Sequence, residues 1–247
     1  MNSLKLARSP GRRTGRLSAN IKAQVPGRPA TKDLLIATGE QFFGRFGING
    51  VSLREIGVAA GQTNSNVVQY HFKDKRGLVI AIINDRMRRL EKMRGERLDL
   101  IEADGTRDAR ELLRVLWEPM ASVRNAEGEH TFCRFLLQYM LQPLGPEHPS
   151  LGLAAYYRSR RIPSDLPQLA RLQRHLRRQY ESLSMSTFVL RMSALGKMFL
   201  STIVEHDNAR LLAPTVKGQG FDLEPILDLS IAALAAPVTE HSHRRHT

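Results

Sequence analysis

Between Ser52 and Lys75 the chain gathers side chains that suit the grooves and backbone of duplex DNA. Gln62, Thr63, Asn64, Ser65, Asn66 and Gln69 crowd amide and hydroxyl groups into eight positions. An amide offers a donor and an acceptor side by side, which matches the major-groove edge of adenine. Tyr70, His71, Lys73 and Lys75 follow directly and suit phosphate oxygens. Ser52 stands at the head of the segment and is grouped with this DNA-binding set. Catalysis has much less to work with. The sequence holds no G-x-S-x-G, no H-E-x-x-H and no phosphate loop. Gly218-Gln219-Gly220 lacks the third glycine and the preceding strand of a dinucleotide fingerprint. His130 and Cys133 could share a soft metal only with a third ligand. Cys133 reads instead as a small buried hydrophobe. No cofactor, no metal and no enzymatic activity are expected.

The polar residues need short, well-stopped helices to aim them. Ser52 and Glu55 have the spacing of a capping box, so a helix should start at Leu53. Leu53, Ile56 and Ala60 fall on its inner face, with Arg54 and Glu55 outside. Gly61 supplies a left-handed stop. Thr63 or Asn64 can cap a second short helix, whose inner side is Val67 and Val68. Two short helices joined by a glycine turn, the second polar outside, make a helix-turn-helix.

The run Gly50-Val51-Ser52-Leu53-Arg54-Glu55-Ile56, then Ala60-Gly61, then Tyr70-His71-Phe72-Lys73-Asp74-Lys75 and Leu78, resembles the DNA-binding domain of the tetracycline-repressor (TetR) family. Two departures accompany it. The commonest form of the family has one residue fewer between the turn glycine and the Tyr-His-Phe triplet. It also carries a Val-Ser or similar pair where this chain has Gln62-Thr63. The resemblance implies a first helix packed behind the helix-turn-helix, a long linking fourth helix and a larger helical domain. It further implies an effector pocket in that domain and a homodimer through the last two long helices. Trp117, Met120, Phe135, Tyr139, Tyr156 and Tyr157 are the candidate pocket residues, taken from kinked or aromatic-rich helices.

The rest of the chain reads as all-α. Hydrophobic residues make up 42% of its 247 positions, so a packed core is expected. Residues 1–30 carry Lys5, Arg8, Arg12, Arg13, Arg16, Lys22 and Arg28 with no acid, and read as a disordered basic arm. Residues 31–78 form the DNA-binding domain, 79–236 the helical effector-binding and dimerisation domain, and 237–247 a disordered tail. Helices are expected over 31–46, from a cap at Asp74 to about 102, over 107–126 with a kink at Pro119, and over 130–142. Others follow at 153–161, from a cap at Ser164 to about 183, over 185–212 and from a cap at Asp222. Arg86, Arg88, Arg89, Lys92 and Arg94 are assigned to a solvated face of the fourth helix. The apolar faces of 185–212 and 222–235 exceed what one helical layer covers, which predicts their pairing across a two-fold axis.

A formal charge of +13 points to an anionic partner. No apolar run approaches membrane-spanning length, and a single cysteine fits a cytoplasmic chain. The expected function is a homodimeric transcriptional regulator on a palindromic operator, a repressor released by a mainly apolar small-molecule effector. Two other classes stand beside it: a helical enzyme that uses the module only for attachment, and a basic architectural or membrane-surface protein without sequence choice.

Overall fold

The computed structural model describes residues 30–64, 66–105, 108–142, 166–212 and 220–238. Among them all regular secondary structure is α-helical. The helices are α1 (Thr31–Phe46), α2 (Leu53–Ala59), α3 (Val67–Phe72), α4 (Lys75–Ala103) and α5 (Ala109–Ser122). They continue with α6 (Thr131–Leu141), α7 (Pro167–Gln179), α8 (Met185–Leu212) and α9 (Glu224–Ala235). From Thr31 onward the chain forms one compact unit. The expectations for the basic arm, for Ser65, Tyr156, Tyr157 and Ser164, for a helix over 153–161 and for most of the C-terminal tail lie outside the described residues.

α1 begins and ends where its composition says it should, but its inner face is rotated from the stripe that Leu34, Leu35, Thr38, Phe42, Phe43 and Phe46 make in the sequence. Leu35, Ile36, Gly39, Glu40, Phe43 and Gly44 are buried, while Phe46 is 61% exposed. The small residues explain the rotation. Gly44 lies so close to α6 that an added Cβ would sit 3.2 Å from the Phe135 backbone nitrogen. α1 packs more extensively on α6 than on any other helix.

α5 stops at Ser122, four residues earlier than expected, where Val123 turns extended. Pro119 lies inside it and gives up a helical hydrogen bond. α6 then satisfies the carbonyls near its end. His130 Nε2 lies 2.9 Å from the Ala121 oxygen, and the Cys133 thiol donates to the Met120 oxygen at 3.7 Å. Both ring nitrogens of His130 are occupied, because Nδ1 sits 2.8 Å from the Asp207 carboxylate on α8. Burial pushes the Cys133 thiol well up. Among the described residues no group of three metal-ligating side chains occurs.

The cap of α7 comes from far away in sequence. Its N-cap is Leu166, which offers no side-chain hydrogen bond. The Glu91 carboxylate on α4 accepts from the Gln168 and Leu169 N–H groups instead, at 2.7 and 3.0 Å. α9 begins at Glu224, whose N–H donates to Asp222 Oδ1 at 3.0 Å. One expectation needs correcting. α8 is long and apolar enough, by length and composition, to cross a membrane. Its Phe188, Met192, Leu195, Phe199, Leu200 and Ile203 are nevertheless buried against the rest of the core. The apolar residues were missed as a run because polar residues interrupt them.

Candidate nucleic-acid interface

The helix-turn-helix is built as its residue types require. The Glu55 N–H donates to Ser52 Oγ at 3.2 Å, and the Ser52 N–H donates to Glu55 Oε2 at 2.7 Å. These reciprocal bonds are a full capping box on α2. The Ser52 side-chain bond, with the backbone bond beside it, holds the Glu55 carboxyl below its usual range. At the other end Gly61 takes φ +70°. The Gly61 N–H donates to the Val58 oxygen and the Gln62 N–H to the Gly57 oxygen, closing the helix with a Schellman motif.

The turn also engages one of the amides expected to read bases. The Gln62 side-chain amide donates to the Ala60 oxygen at 3.1 Å, so it closes α2 and faces its own backbone. Asn64 organises the approach to α3. Its Oδ1 accepts from the Asn66 N–H at 2.9 Å, and its backbone oxygen accepts from the Val67 N–H at 3.2 Å. α3 therefore starts at Val67, later than a cap at Thr63 or Asn64 implies, although Asn64 does support its entrance.

Val68 and Phe72 bury the inner side of α3. Asn66, Gln69, Tyr70 and Lys73 occupy its outer side, with Thr63 and Asn64 exposed in the preceding turn. Tyr70 is 84% exposed, with its ring edge-on to His71 at 5.2 Å. Ser52 is exposed, while His71 and Lys75 are half-buried. An exposed amide pair, Asn66 and Gln69, thus shares one short helical surface with a phenol and an ammonium group. Such a surface can offer hydrogen bonds to base edges and to phosphates together.

The end of α3 is strained. Lys73 has φ +68° and ψ −56°. The Asp74 N–H donates across it to the Phe72 oxygen at 2.9 Å, forming a tight three-residue turn of the rare hand. Asp74 then caps α4 by accepting from the Gly77 N–H at 2.7 Å. A Cβ on Gly77 would overlap the Phe72 carbonyl oxygen. Lys73 is exposed on this turn, and Lys75 follows, half-buried, at the start of α4. Nothing in the residue type of Lys73 announces that backbone.

No protein-family model and no curated protein matches this sequence. Among solved structures, the chain is similar to a putative TetR-family transcriptional regulator from Rhodococcus sp.. The match has 18% identity and a TM-score of 0.36, covering 83% of this chain and 96% of that one. It is also similar to the multidrug binding protein EbrR complexed with imidazole, at 16% identity and a TM-score of 0.34. That match covers 86% of this chain and 99% of the other.

The candidate pocket residues lie elsewhere. Trp117, Met120, Phe135 and Tyr139 are all buried. Trp117 stacks on Phe199 with centroids 5.5 Å apart and planes 7° from parallel. Phe135 sits among Phe43, Phe132 and Tyr139 at 6.2 to 6.4 Å. A surface hollow of about 500 Å³ is lined by Arg97, Leu100, Ile101, Asp104 and Glu111, and none of these four lines it.

Two residues assigned to the solvated face of α4 are in fact inside. Arg86 is half-buried against Glu40. Arg94 is 1% exposed, and it is the largest fully buried side chain among the described residues. A charge repeated along a helix looks like a wet face in sequence. Only the arrival of α1 on one side, and of α5 and α7 on the other, removes the water.

Proposed function

We propose that this chain is a homodimeric DNA-binding transcriptional regulator of the TetR kind, acting as a cytoplasmic repressor that a mainly apolar effector releases from a palindromic operator. The observation that carries the reading is the outer surface of α3. Asn66, Gln69, Tyr70 and Lys73 share it, and a capping box, a Schellman turn and the buried Ile56, Val68 and Phe72 hold it rigid. Placed in a major groove, the amides would read bases while Tyr70, Lys73 and Lys75 contact phosphates.

The dimer reading is supported by what α8 and α9 leave uncovered. Only 33% of the apolar stretch of α8 is buried. Leu190 on α8 and Leu229 on α9 are 70% and 56% exposed. Pairing these faces about a two-fold axis would bury them and set two α3 helices one or more helical turns of DNA apart. The sequence motif from Gly50 to Leu78 favours the same reading.

The test is a competition. Full-length protein is bound to a duplex enriched from a random pool, and bulk genomic DNA is added. Retention of the enriched duplex against a large excess of bulk DNA supports a regulator with an operator. Equal displacement by both would leave a basic architectural protein.

A further inference from the structure

The interior between α4, α5 and α7 contains polar groups that the fold itself does not satisfy. Arg94 on α4 is fully enclosed. Its Nη2 donates one long bond to the Leu116 oxygen on α5, at 3.4 Å. Its Nε and Nη1 have no hydrogen-bond partner. Among the described residues the carboxylate paired with it is Glu91, 3.7 Å from Nη1. That carboxylate is already engaged by the two N–H groups at the start of α7. A guanidinium carries five N–H donors in a planar fork, and here those on Nε and Nη1 make no hydrogen bond. Burial pushes Arg94 down to about 10, with Glu91 acting against it, so it remains a cation at neutral pH.

A second unsatisfied group stands on α7. Gln173 is 1% exposed, and neither atom of its amide has a partner. It lies one helical turn beyond Leu169, on the buried side of the helix that Glu91 caps. α4, α5 and α7 pack on one another, and their other inward residues are apolar, including Leu90, Leu98, Leu112, Leu172 and Leu176. A half-paired buried cation and an unpaired amide are costly to keep in such surroundings. They are the features of a ligand site whose polar handles await a partner.

We propose that the α4–α5–α7 interior receives a mainly apolar carboxylic acid, with Arg94 taking the carboxylate and Gln173 a second polar atom of the ligand. A carboxylate can pair with a guanidinium fork bidentately, and the leucines suit an aliphatic or aromatic body. Admission requires α7 to ease away from α4 and α5. That helix is suited to it, because Leu172 and Leu176 are its two fully buried apolar side chains and the rest of it is largely polar. That the ligand controls DNA binding rests on the proposed function; that it binds does not.

Trp117 is the single tryptophan and follows Leu116, whose carbonyl Arg94 contacts. Its fluorescence is therefore a probe of this interior. Full-length protein without DNA is titrated with decanoate and benzoate, and with decanol and decyltrimethylammonium as controls. A saturable change is expected with at least one carboxylate, with decanol weaker by about ten- to a hundredfold and the ammonium compound silent. Arg94→Met should melt at or above the wild-type temperature, because it removes a half-paired buried charge, and should bind carboxylate and alcohol alike. Gln173→Leu provides a second variant if Arg94→Met does not fold, with weaker carboxylate binding expected. No saturable change with either carboxylate, equal affinity for decanoate and decanol, or unaltered decanoate binding in a folded Arg94→Met or Gln173→Leu protein would overturn the proposal. The readout contains no DNA, so its failure leaves the DNA-binding reading standing, and failure of that reading leaves this result standing.

Discussion

Glu40, in the middle of α1, is gripped by Arg86 on α4 through two parallel bonds, Nε to Oε2 at 2.5 Å and Nη2 to Oε1 at 3.0 Å. The Thr131 hydroxyl, at the start of α6, donates to the same carboxylate at 2.5 Å. Glu40 is 1% exposed. Three helices therefore meet at one buried carboxylate. One turn or so further along α1, Arg45 holds both oxygens of Glu129 at 3.0 and 3.1 Å. α1 is thus the tie between the helix-turn-helix and the helices behind it. Arg94 lies eight residues after Arg86 on the same α4.

Breaking that grip should be costly in one direction and less so in both. Arg86→Met leaves Glu40 buried and uncompensated, with an expected loss of about 3 kcal/mol or more. Glu40→Gln together with Arg86→Met removes both charges and should recover a good part of the loss. Denaturant unfolding of the two single variants and the double variant measures this. Strict additivity of the two losses would show that the pair does not act as a unit.

Gly77 is required by its surroundings, because a Cβ there would overlap the Phe72 carbonyl oxygen. Gly77→Ala must displace either the strained turn at Lys73 or the first turn of α4. We expect a loss of about 1–3 kcal/mol and a loss of DNA binding larger than the stability change explains. An alanine variant with wild-type stability and DNA affinity would show that the turn yields freely.

Acid should loosen the two helices that carboxylates staple to their neighbours. Hydrogen bonds from Arg114, then Arg110, hold the Glu224 carboxyl on α9 down to about 2. Arg171, then His175, do the same for Glu102 on α4, also to about 2. A depressed carboxyl contributes stability above its unfolded value, near 4.5 for both. That contribution is lost as pH falls from there through about 2. Both groups are solvated, so salt should weaken the effect. Hydrogen exchange of α7 and α9 amides, corrected for intrinsic rates, should accelerate between pH 4.5 and 2. Exchange unchanged over that window would count against these pairs as staples.

Local chemistry made the helix-turn-helix and most helix starts legible in the sequence. The capping box, Gly61 and Asp74 act within a few residues of themselves, and each does in the structure what its type suggests; Asp222 accepts from the Glu224 N–H but stands one residue before the N-cap, Leu223. The illegible parts depend on partners distant in sequence. Glu91 caps a helix 77 residues away. Arg94 and Glu40 are buried because other helices close over them. The bond from the Gln62 side chain to the Ala60 oxygen is likewise not announced by its residue type.

The arm at residues 1–30 should bear on affinity more than on choice. Its seven basic residues and absent acids should add phosphate contacts, each of which releases counterions. Deleting residues 1–28 should weaken low-salt binding and make the slope of log affinity against log salt shallower by a few units, with base preference little changed. Superimposable salt titrations of the full and shortened chains would make the arm a bystander.

The reading of α3 as the base-reading helix is tested most directly by selection from a random duplex pool, run in parallel with the wild-type chain, Gln69→Ala and Lys73→Ala. The wild type should enrich two inverted half-sites. Gln69→Ala should alter preference at one position in each half-site, at a cost of about 1–3 kcal/mol on the original sequence. Lys73→Ala should keep the same preferred sequence and bind all duplexes more weakly. Enrichment of no sequence by the wild type, or of one unchanged sequence by all three proteins, would contradict the account.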